Sequence, residues 1–218
     1  VAVIGASGGG PFALQFALRH PHRLRALVMF CAISQRMPPR QQNARRKRLL
    51  SSRIGPLLLD LFSAFMQILL RFRTERFARR LFRETTTQAV TTAEIHNAAA
   101  TMMQHSEQVS LFKGILSAML PLSVRIIGIW NDEEQFALLS DAALEQIKVP
   151  TLVIHGREDA LVRFNQAETV AAKVAGAEVY TIERWGHFIW VGEHSRRMRF
   201  ALVEFLRKHA HTDKEESR

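Results

Sequence analysis

The sequence contains very little cysteine, and it lacks a long uninterrupted apolar run. Cys31 is the only cysteine in 218 residues, which excludes an intrachain disulfide. A single thiol fits a reducing compartment, so we expect a cytoplasmic location. No signal peptide is visible at the start. The longest apolar stretch, Leu57 to Leu70, is interrupted by Asp60 and Gln67, and no run reaches the roughly 20 residues of a membrane-spanning helix.

Acidic residues are also scarce, which leaves a net charge of +10 in a chain of otherwise ordinary globular composition. The basic excess is concentrated in one segment, where the only acids are Asp60 and Glu75. No nucleic-acid-binding motif accompanies it, so we expect no nucleic acid partner. Two interpretations stay open: a solvated helical face, or contact with an anionic ligand or membrane surface. The basic residues of this segment are Arg36, Arg40, Arg45, Arg46, Lys47, Arg48, Arg53, Arg71, Arg73, Arg76, Arg79, Arg80 and Arg83.

The first 35 residues have the pattern of a strand, a helix and a second strand. Val1 to Ile4 is a short apolar run closed by Gly5, which is typical of a strand buried on both faces. Apolar residues then repeat at helical spacing from Phe12 to Arg19, and a second apolar strand follows from Leu24 to Ile33. This order predicts a βαβ unit, and therefore an α/β fold with a parallel sheet.

The α/β rhythm is interrupted by a long helical segment and then resumes. We expect residues 36–145 to form a helical cap inserted into a core made of residues 1–35 and 146–210, with helices on both faces of the sheet. Residues 211–218 form a polar tail. The threonine-rich stretch from Thr85 to Thr92 is suited to end one cap helix and begin the next. The later core elements are predicted as strands over Thr151–His155 and Glu178–Ile182, and helices over Asn165–Val174 and Ser195–His209.

A Gly-x-Ser-x-Gly motif, Gly5-Ala6-Ser7-Gly8-Gly9, lies between the first predicted strand and helix. This is the context of a nucleophile elbow, a strained turn that exposes the serine hydroxyl at the carboxyl edge of the sheet. We expect glycine to be needed at Gly5 and Gly9 because side chains there would collide. The backbone N–H of Gly8 is the candidate oxyanion donor. The alternative is a glycine-rich turn that binds phosphate or merely packs tightly.

A serine nucleophile needs a base, and the base needs an acid that orients it. Asp159 and His187 each follow a predicted strand, so both lie at the carboxyl edge of the sheet with Ser7. Glu158 is an alternative to Asp159. The remaining candidates are weaker: Asp132 is expected to be a surface acid, His155 a buried or near-site histidine, and His96 and His105 lack the i, i+4 spacing of metal ligands, so no metal site is expected.

Three stretches of the sequence resemble signatures of the α/β-hydrolase superfamily, in the branch with a helical cap: GASGGGPFALQFALRHPHRLRALV, VPTLVIHGREDALV and RWGHF. The resemblance implies that Ser7 is the nucleophile, His187 the general base and acid, and Asp159 the residue that orients His187. It implies hydrolysis of an ester or related acyl compound through an acyl-enzyme, without a cofactor. The apolar cap residues Phe62 and Phe65 favour a small-molecule substrate with a hydrophobic group.

The resemblance does not extend to the strands that precede the elbow in this superfamily, nor to the loop among them that supplies a second oxyanion donor. The chain begins at Val1, within a predicted core strand. We therefore expect a partial α/β-hydrolase fold, a fragment of a longer protein. The alternative function is a catalytically silent fragment, or a binding module that uses the basic amphipathic cap on a membrane or protein partner.

Overall fold

A computed structural model describes residues 1–38 and 48–210 of the chain. In these residues, four parallel strands form one sheet in the order β1 (Ala2–Ala6), β2 (Ala26–Phe30), β3 (Thr151–Gly156) and β4 (Glu178–Ile182). This confirms the predicted parallel α/β architecture. The predicted tail, and Arg40, Arg45, Arg46 and Lys47 of the basic segment, lie outside the described residues.

The two middle strands, β2 and β3, are buried along their whole length because apolar layers cover both faces of the sheet. On one face lie α1 (Gly10–Arg19) and α7 (Asn165–Lys173), whose buried residues pack with the side chains of Leu27 and Val153. On the other face lies α8 (Ser195–Ala210), which packs with Val28 and Ile154. The prediction that the first strand is buried on both faces is wrong for the described residues, because β1 lies at the edge of this sheet and the side chain of Ile4 is half exposed.

Five long helices lie between β2 and β3 in the described part of the chain. They fall within the predicted helical insertion, whose exact boundaries remain a prediction. The threonine-rich stretch acts as expected: one helix ends at Thr85, and Thr91 caps the next through a capping box with Glu94. The five helices are α2 (Gly55–Phe72), α3 (Thr74–Thr85), α4 (Thr92–Met103), α5 (Ser106–Ala118) and α6 (Leu122–Leu138).

An aromatic cluster joins these inserted helices to the sheet. The ring of Phe82, on α3, lies 5.8 Å from the ring of Phe112 on α5. It also lies 5.2 Å from Trp185 and 5.9 Å from Phe188, which are in the loop after β4. Phe82 and Phe112 are fully buried, so the cap and the loop at the carboxyl edge of the sheet share one core.

Phe82→Ala should therefore destabilise the whole chain rather than one helix. We expect the free energy of unfolding to fall by about 3–5 kcal/mol, as for other buried phenylalanines replaced by alanine. Urea unfolding followed by circular dichroism measures this change. The matched control is Phe200→Ala, because Phe200 is 68% exposed, and that change should cost about 0.5 kcal/mol or less. Equal losses in the two variants would contradict the shared core.

Candidate active site

The serine of the Gly-x-Ser-x-Gly motif lies in a sharp turn between β1 and α1. Its φ angle is 49°, a left-handed conformation that is uncommon for a residue with a side chain. A single 3-10 turn, Ser7–Gly9, follows the strand and leads into α1. The carbonyl oxygen of Ser7 accepts a hydrogen bond from the backbone N–H of Ile33, at 3.0 Å, which ties the turn to the end of β2. The geometry is that of a strained turn held in place by its surroundings.

Two glycines allow this turn to pack closely, but they are not the pair predicted from the sequence. A Cβ on Gly5 would lie 2.6 Å from Cβ of Ala13, and a Cβ on Gly10 would lie 2.0 Å from the carbonyl oxygen of Ile33. A Cβ on Gly9 would meet nothing within 4 Å. The prediction that Gly9 is sterically required is therefore wrong. The close contact falls on Gly10, where α1 begins against the backbone that follows β2.

The structure brings together the side chains of Ser7, Asp159 and His187. Each comes from a loop at the carboxyl end of a strand: β1, β3 and β4 in that order. Nε2 of His187 lies 3.1 Å from Oγ of Ser7, and Nδ1 of His187 lies 2.7 Å from Oδ2 of Asp159. Because a carboxylate only accepts, Nδ1 carries the proton and Nε2 is free to accept the hydroxyl proton of Ser7. This is the arrangement of an activated serine.

The carboxylate of Asp159 is fully buried and depends on neutral donors. Its Oδ1 accepts hydrogen bonds from the backbone N–H groups of Leu161 (2.8 Å) and Val162 (2.9 Å). Donors of this kind favour the charged form of a buried acid. His155 lies beside them without donating to the carboxylate: its Nε2–H donates to the Val162 carbonyl at 2.8 Å, and this Nε2 lies 3.6 Å from Oδ2 of Asp159. Burial lowers the pKa of His155, which favours the neutral imidazole.

Cys31 is the third side chain beside the carboxylate, and sequence reasoning did not connect it with the site. It follows β2, has a φ angle of 44°, and is fully buried. Its Sγ and ligand atoms of Asp159 and His187 all lie within 4.8 Å of one another. Burial, reinforced by the negative charge of Asp159, raises the pKa of the Cys31 thiol well above its ordinary value. We infer that the thiol stays protonated and donates to Asp159.

These three side chains do not suit a metal ion. A metal ion at this point would have to take the place of the hydrogen bond between His187 and Asp159. Nδ1 of His187 is also directed at the carboxylate rather than at a common centre with it. The cluster is therefore better described as a hydrogen-bonded pair, Asp159 and His187, with the thiol of Cys31 beside the carboxylate.

A segment that follows α3 holds the acid loop in place. Thr86 forms an antiparallel bridge with Asp159, the N–H of Thr87 donates to the carbonyl of Glu158 at 2.9 Å, and the N–H of Ala160 donates to the carbonyl of Thr85 at 3.2 Å. The carboxylate of Glu158 accepts a hydrogen bond from the Thr87 hydroxyl. Asp159, not Glu158, is thus the acid in contact with His187.

Aromatic side chains surround the reactive groups. The sequence pattern does not identify which aromatic residues lie there. A Cβ on Gly8 would lie 2.9 Å from Cζ of Phe136, so this α6 side chain packs beside the candidate oxyanion donor. Trp190 packs edge-on to the ring of His187, with ring centroids 6.1 Å apart, and it also stacks on Phe30 at 5.7 Å.

The other candidate acid, Asp132, is exposed on α6.

Gly10→Ala should disrupt the turn, while Gly9→Ala should not. The added methyl group at position 10 cannot avoid the backbone oxygen of Ile33 unless α1 moves, and we expect a loss of about 3 kcal/mol or more in the free energy of unfolding. At position 9 the backbone is already helical and the space is open, so the change should cost about 0.5 kcal/mol or less. Urea unfolding of both variants measures the difference. Equal stability would contradict the packing described for Gly10.

Comparison with known proteins agrees with this architecture. Among curated proteins, the chain is 23% identical over 212 residues to the uncharacterized hydrolase YcgS of Bacillus subtilis, covering 94% of this chain and 68% of the relative. It is 26% identical over 216 residues to a 2-hydroxymuconate semialdehyde hydrolase of Pseudomonas sp. strain CF600, covering 94% of this chain and 61% of the relative.

A solved structure and a family model extend the comparison. An alpha/beta hydrolase fold protein from Nakamurella multipartita superimposes with a TM-score of 0.75 at 27% identity, over 94% of this chain and 68% of that one. The family model described as the alpha/beta hydrolase fold matches residues 1–192. These matches confirm the superfamily and the hydrolase class expected from the sequence. The chain belongs to the α/β-hydrolase fold family.

Proposed function

We propose that this chain carries the catalytic triad of a serine hydrolase, which cleaves an ester or a related acyl compound through an acyl-enzyme. One observation carries the proposal: the continuous hydrogen-bonded series from Ser7 Oγ to His187 Nε2 at 3.1 Å, and from His187 Nδ1 to Asp159 Oδ2 at 2.7 Å. A serine alone is a weak nucleophile, and this series supplies the base and the orienting acid that it requires.

The proposed reaction has two steps of the same kind. Ser7 Oγ attacks the substrate carbonyl carbon while Nε2 of His187 takes the hydroxyl proton, and the resulting imidazolium gives that proton to the leaving alcohol. Water then attacks the acyl carbon while Nε2 takes a proton from it. The bond from that carbon to Oγ breaks as the imidazolium returns the proton to Oγ, and the acid is released. Asp159 stays ionised throughout and stabilises the imidazolium. The backbone N–H of Gly8 is the proposed donor to the oxyanion.

We propose a substrate with a hydrophobic group next to the reacting carbonyl. Phe136 lies beside Gly8, and Trp190 lies beside His187. One apolar ring therefore adjoins the candidate oxyanion donor, and another adjoins the candidate base. Such walls bind apolar groups and exclude water from the charges that develop in the reaction. The substrate named for the Pseudomonas relative, 2-hydroxymuconate semialdehyde, should be assayed beside esters of increasing chain length.

A cytoplasmic location is proposed from the single buried cysteine.

A second function, binding without catalysis, is favoured by a separate observation: several large apolar side chains of α2 are exposed. The chain spans 61–68% of the length of the two curated relatives described above, so catalysis by the whole protein is itself a proposal. Binding through the cap and catalysis at Ser7 are compatible, and labelling of the serine separates a catalyst from a silent module.

Labelling with a fluorophosphonate probe tests the proposed roles. The probe should modify Ser7, and Ser7→Ala should remove the label. Asp159→Asn should slow labelling roughly 10³- to 10⁴-fold. The N–H groups of Leu161 and Val162 would hold the amide oxygen, so the amide NH2 would face Nδ1 of His187 and favour the wrong imidazole tautomer. The matched control is Glu158→Gln, one residue earlier, which should leave the rate within about threefold because Glu158 is bound by Thr87. Peptide mass spectrometry locates the label, and its time course gives the rates.

Labelling should be measured on this chain and on the product of its complete reading frame. If neither form is labelled, the hydrolase proposal fails and the binding module becomes the better account. If Glu158→Gln abolishes labelling while Asp159→Asn does not, the assignment of the acid is wrong. Labelling of both forms, or of the complete product alone, supports the proposed nucleophile.

A further inference from the structure

Helix α2 presents apolar side chains on two opposite faces. One face is buried against the rest of the cap, through the apolar side chains of Leu59 and Leu70 and the hydroxyl of Ser63. The other, which we name the outer stripe, covers about 140° of the helix circumference at 100° per residue. Its members are between 39% and 69% exposed: Leu57, Leu58, Leu61, Phe62, Phe65, Ile68 and Phe72. An apolar surface of this continuity usually marks a site of interaction.

Exposed arginines lie at both ends of the outer stripe. Arg48 and Arg53 precede the helix, and Arg71, Arg73 and Arg76 lie at or just beyond its other end. The guanidinium of Arg71 lies 5.3 Å from the ring centroid of Phe72, so charge and apolar surface adjoin directly. The sequence of α2 contains one acid, Asp60. A surface with an apolar centre and a cationic rim is complementary to an anionic amphiphile.

A transmembrane orientation of α2 fits the structure less well than an interfacial one. The helix has 18 residues and is apolar enough by length and composition to cross a membrane, which the interrupted sequence run did not suggest. Its rise gives about 27 Å, slightly short of the roughly 30 Å of a hydrocarbon core. Its inner face also packs on α6, where the N–H of Leu122 donates to Oγ of Ser63 at 2.9 Å. Insertion across a bilayer would break these contacts.

A second copy of the chain is also a poor occupant of this surface. A two-fold dimer would bring the same patch of each copy together, and with it the same cluster of arginines. The chain has a net charge of +10, and the segment around α2 contributes much of it. Such a contact would bring like charges together, with Asp60 as the one acid within α2. An anionic surface has the opposite sign and satisfies both the arginines and the apolar stripe.

We propose that the outer stripe and its flanking arginines dock the protein on an anionic phospholipid bilayer, with α2 lying in the plane of the headgroups. The apolar side chains enter the boundary between headgroups and acyl chains, and the arginines contact the phosphates. Docking does not depend on hydrolysis. It would place the candidate site near a source of hydrophobic acyl compounds, because α2 packs on α6, whose Phe136 lies beside Gly8.

Flotation with lipid vesicles tests the docking surface on the full chain. Vesicles of phosphatidylcholine mixed with phosphatidylserine should carry the protein upward, and vesicles of phosphatidylcholine alone should do so much less. Phe65→Glu places a charge in the centre of the outer stripe and should weaken partitioning at least about tenfold. Its matched control is Phe200→Glu, because Phe200 is an equally large exposed side chain on a different helix, α8. That change should alter partitioning by about twofold or less.

Arginine variants test the anionic part of the inference. Replacing Arg71 and Arg73 together by glutamine should lower partitioning onto anionic vesicles about 30-fold. The matched control replaces Arg196 and Arg197, exposed on α8, and should have a much smaller effect. Circular dichroism shows whether each variant is folded. Ser7→Ala should float like the unchanged chain, which separates docking from the proposed hydrolase activity.

Several outcomes would overturn the inference. Absence of flotation with both vesicle types would do so, as would equal binding to neutral and anionic vesicles that the Arg71 and Arg73 changes do not affect. Equal losses in Phe65→Glu and Phe200→Glu would show that the outer stripe is not the contact. If sedimentation shows a dimer that Phe65→Glu dissociates, and no vesicle binding is seen, a second copy of the chain occupies this surface instead.

Discussion

The candidate site depends on one hydrogen bond, between Nδ1–H of His187 and the buried carboxylate of Asp159. The bond selects the imidazole tautomer that leaves Nε2 available to Ser7. It also requires an ionised acid in a position with no contact to water. Among the contacts described above, neither a lysine nor an arginine donates a hydrogen bond to this carboxylate. The N–H groups of Leu161 and Val162, and the protonated thiol of Cys31, stabilise it instead.

The inserted helices contribute to this site as well as covering it. The segment after α3 bridges to Asp159 through Thr86, and Phe82 of the same helix packs under the loop that carries His187. Phe136 of α6 packs beside Gly8. The loop that carries Asp159, the loop that carries His187 and the candidate oxyanion donor Gly8 therefore each contact an inserted helix or the segment after it. A change in the packing of the cap should thus affect the alignment of the triad as well as substrate access.

The sequence predicts those features of the fold and of the candidate site that depend on local pattern. Short apolar runs with β-branched residues locate the strands, and Glu178–Ile182 is observed with the bounds predicted for it. The strand-turn-helix context of Ser7 places it at the carboxyl edge of the sheet, and the same logic places Asp159 and His187 there. The observed structure brings these three side chains together, and their catalytic roles remain proposals.

Contacts between distant parts of the chain are not available from local pattern. The expectation for Gly9 failed because the close contact at the turn is made by Gly10 with Ile33, a residue that reaches it only after a strand has formed. The positions of Cys31 and Phe136 beside the site likewise depend on tertiary packing. An exposed apolar stripe and a buried one give the same periodicity in sequence, so the two faces of α2 are distinguished only in the folded chain.

Trapping of the acyl-enzyme tests the central claim most directly. The protein would be mixed with an activated ester such as p-nitrophenyl butyrate, quenched in acid during turnover, digested, and analysed by mass spectrometry. If Ser7 is the nucleophile, a butyryl group should appear on the peptide that contains Ser7, together with a burst of p-nitrophenol, and it should be absent in Ser7→Ala. Turnover without that adduct, or with the acyl group on another residue, would contradict the proposal that Ser7 is the nucleophile.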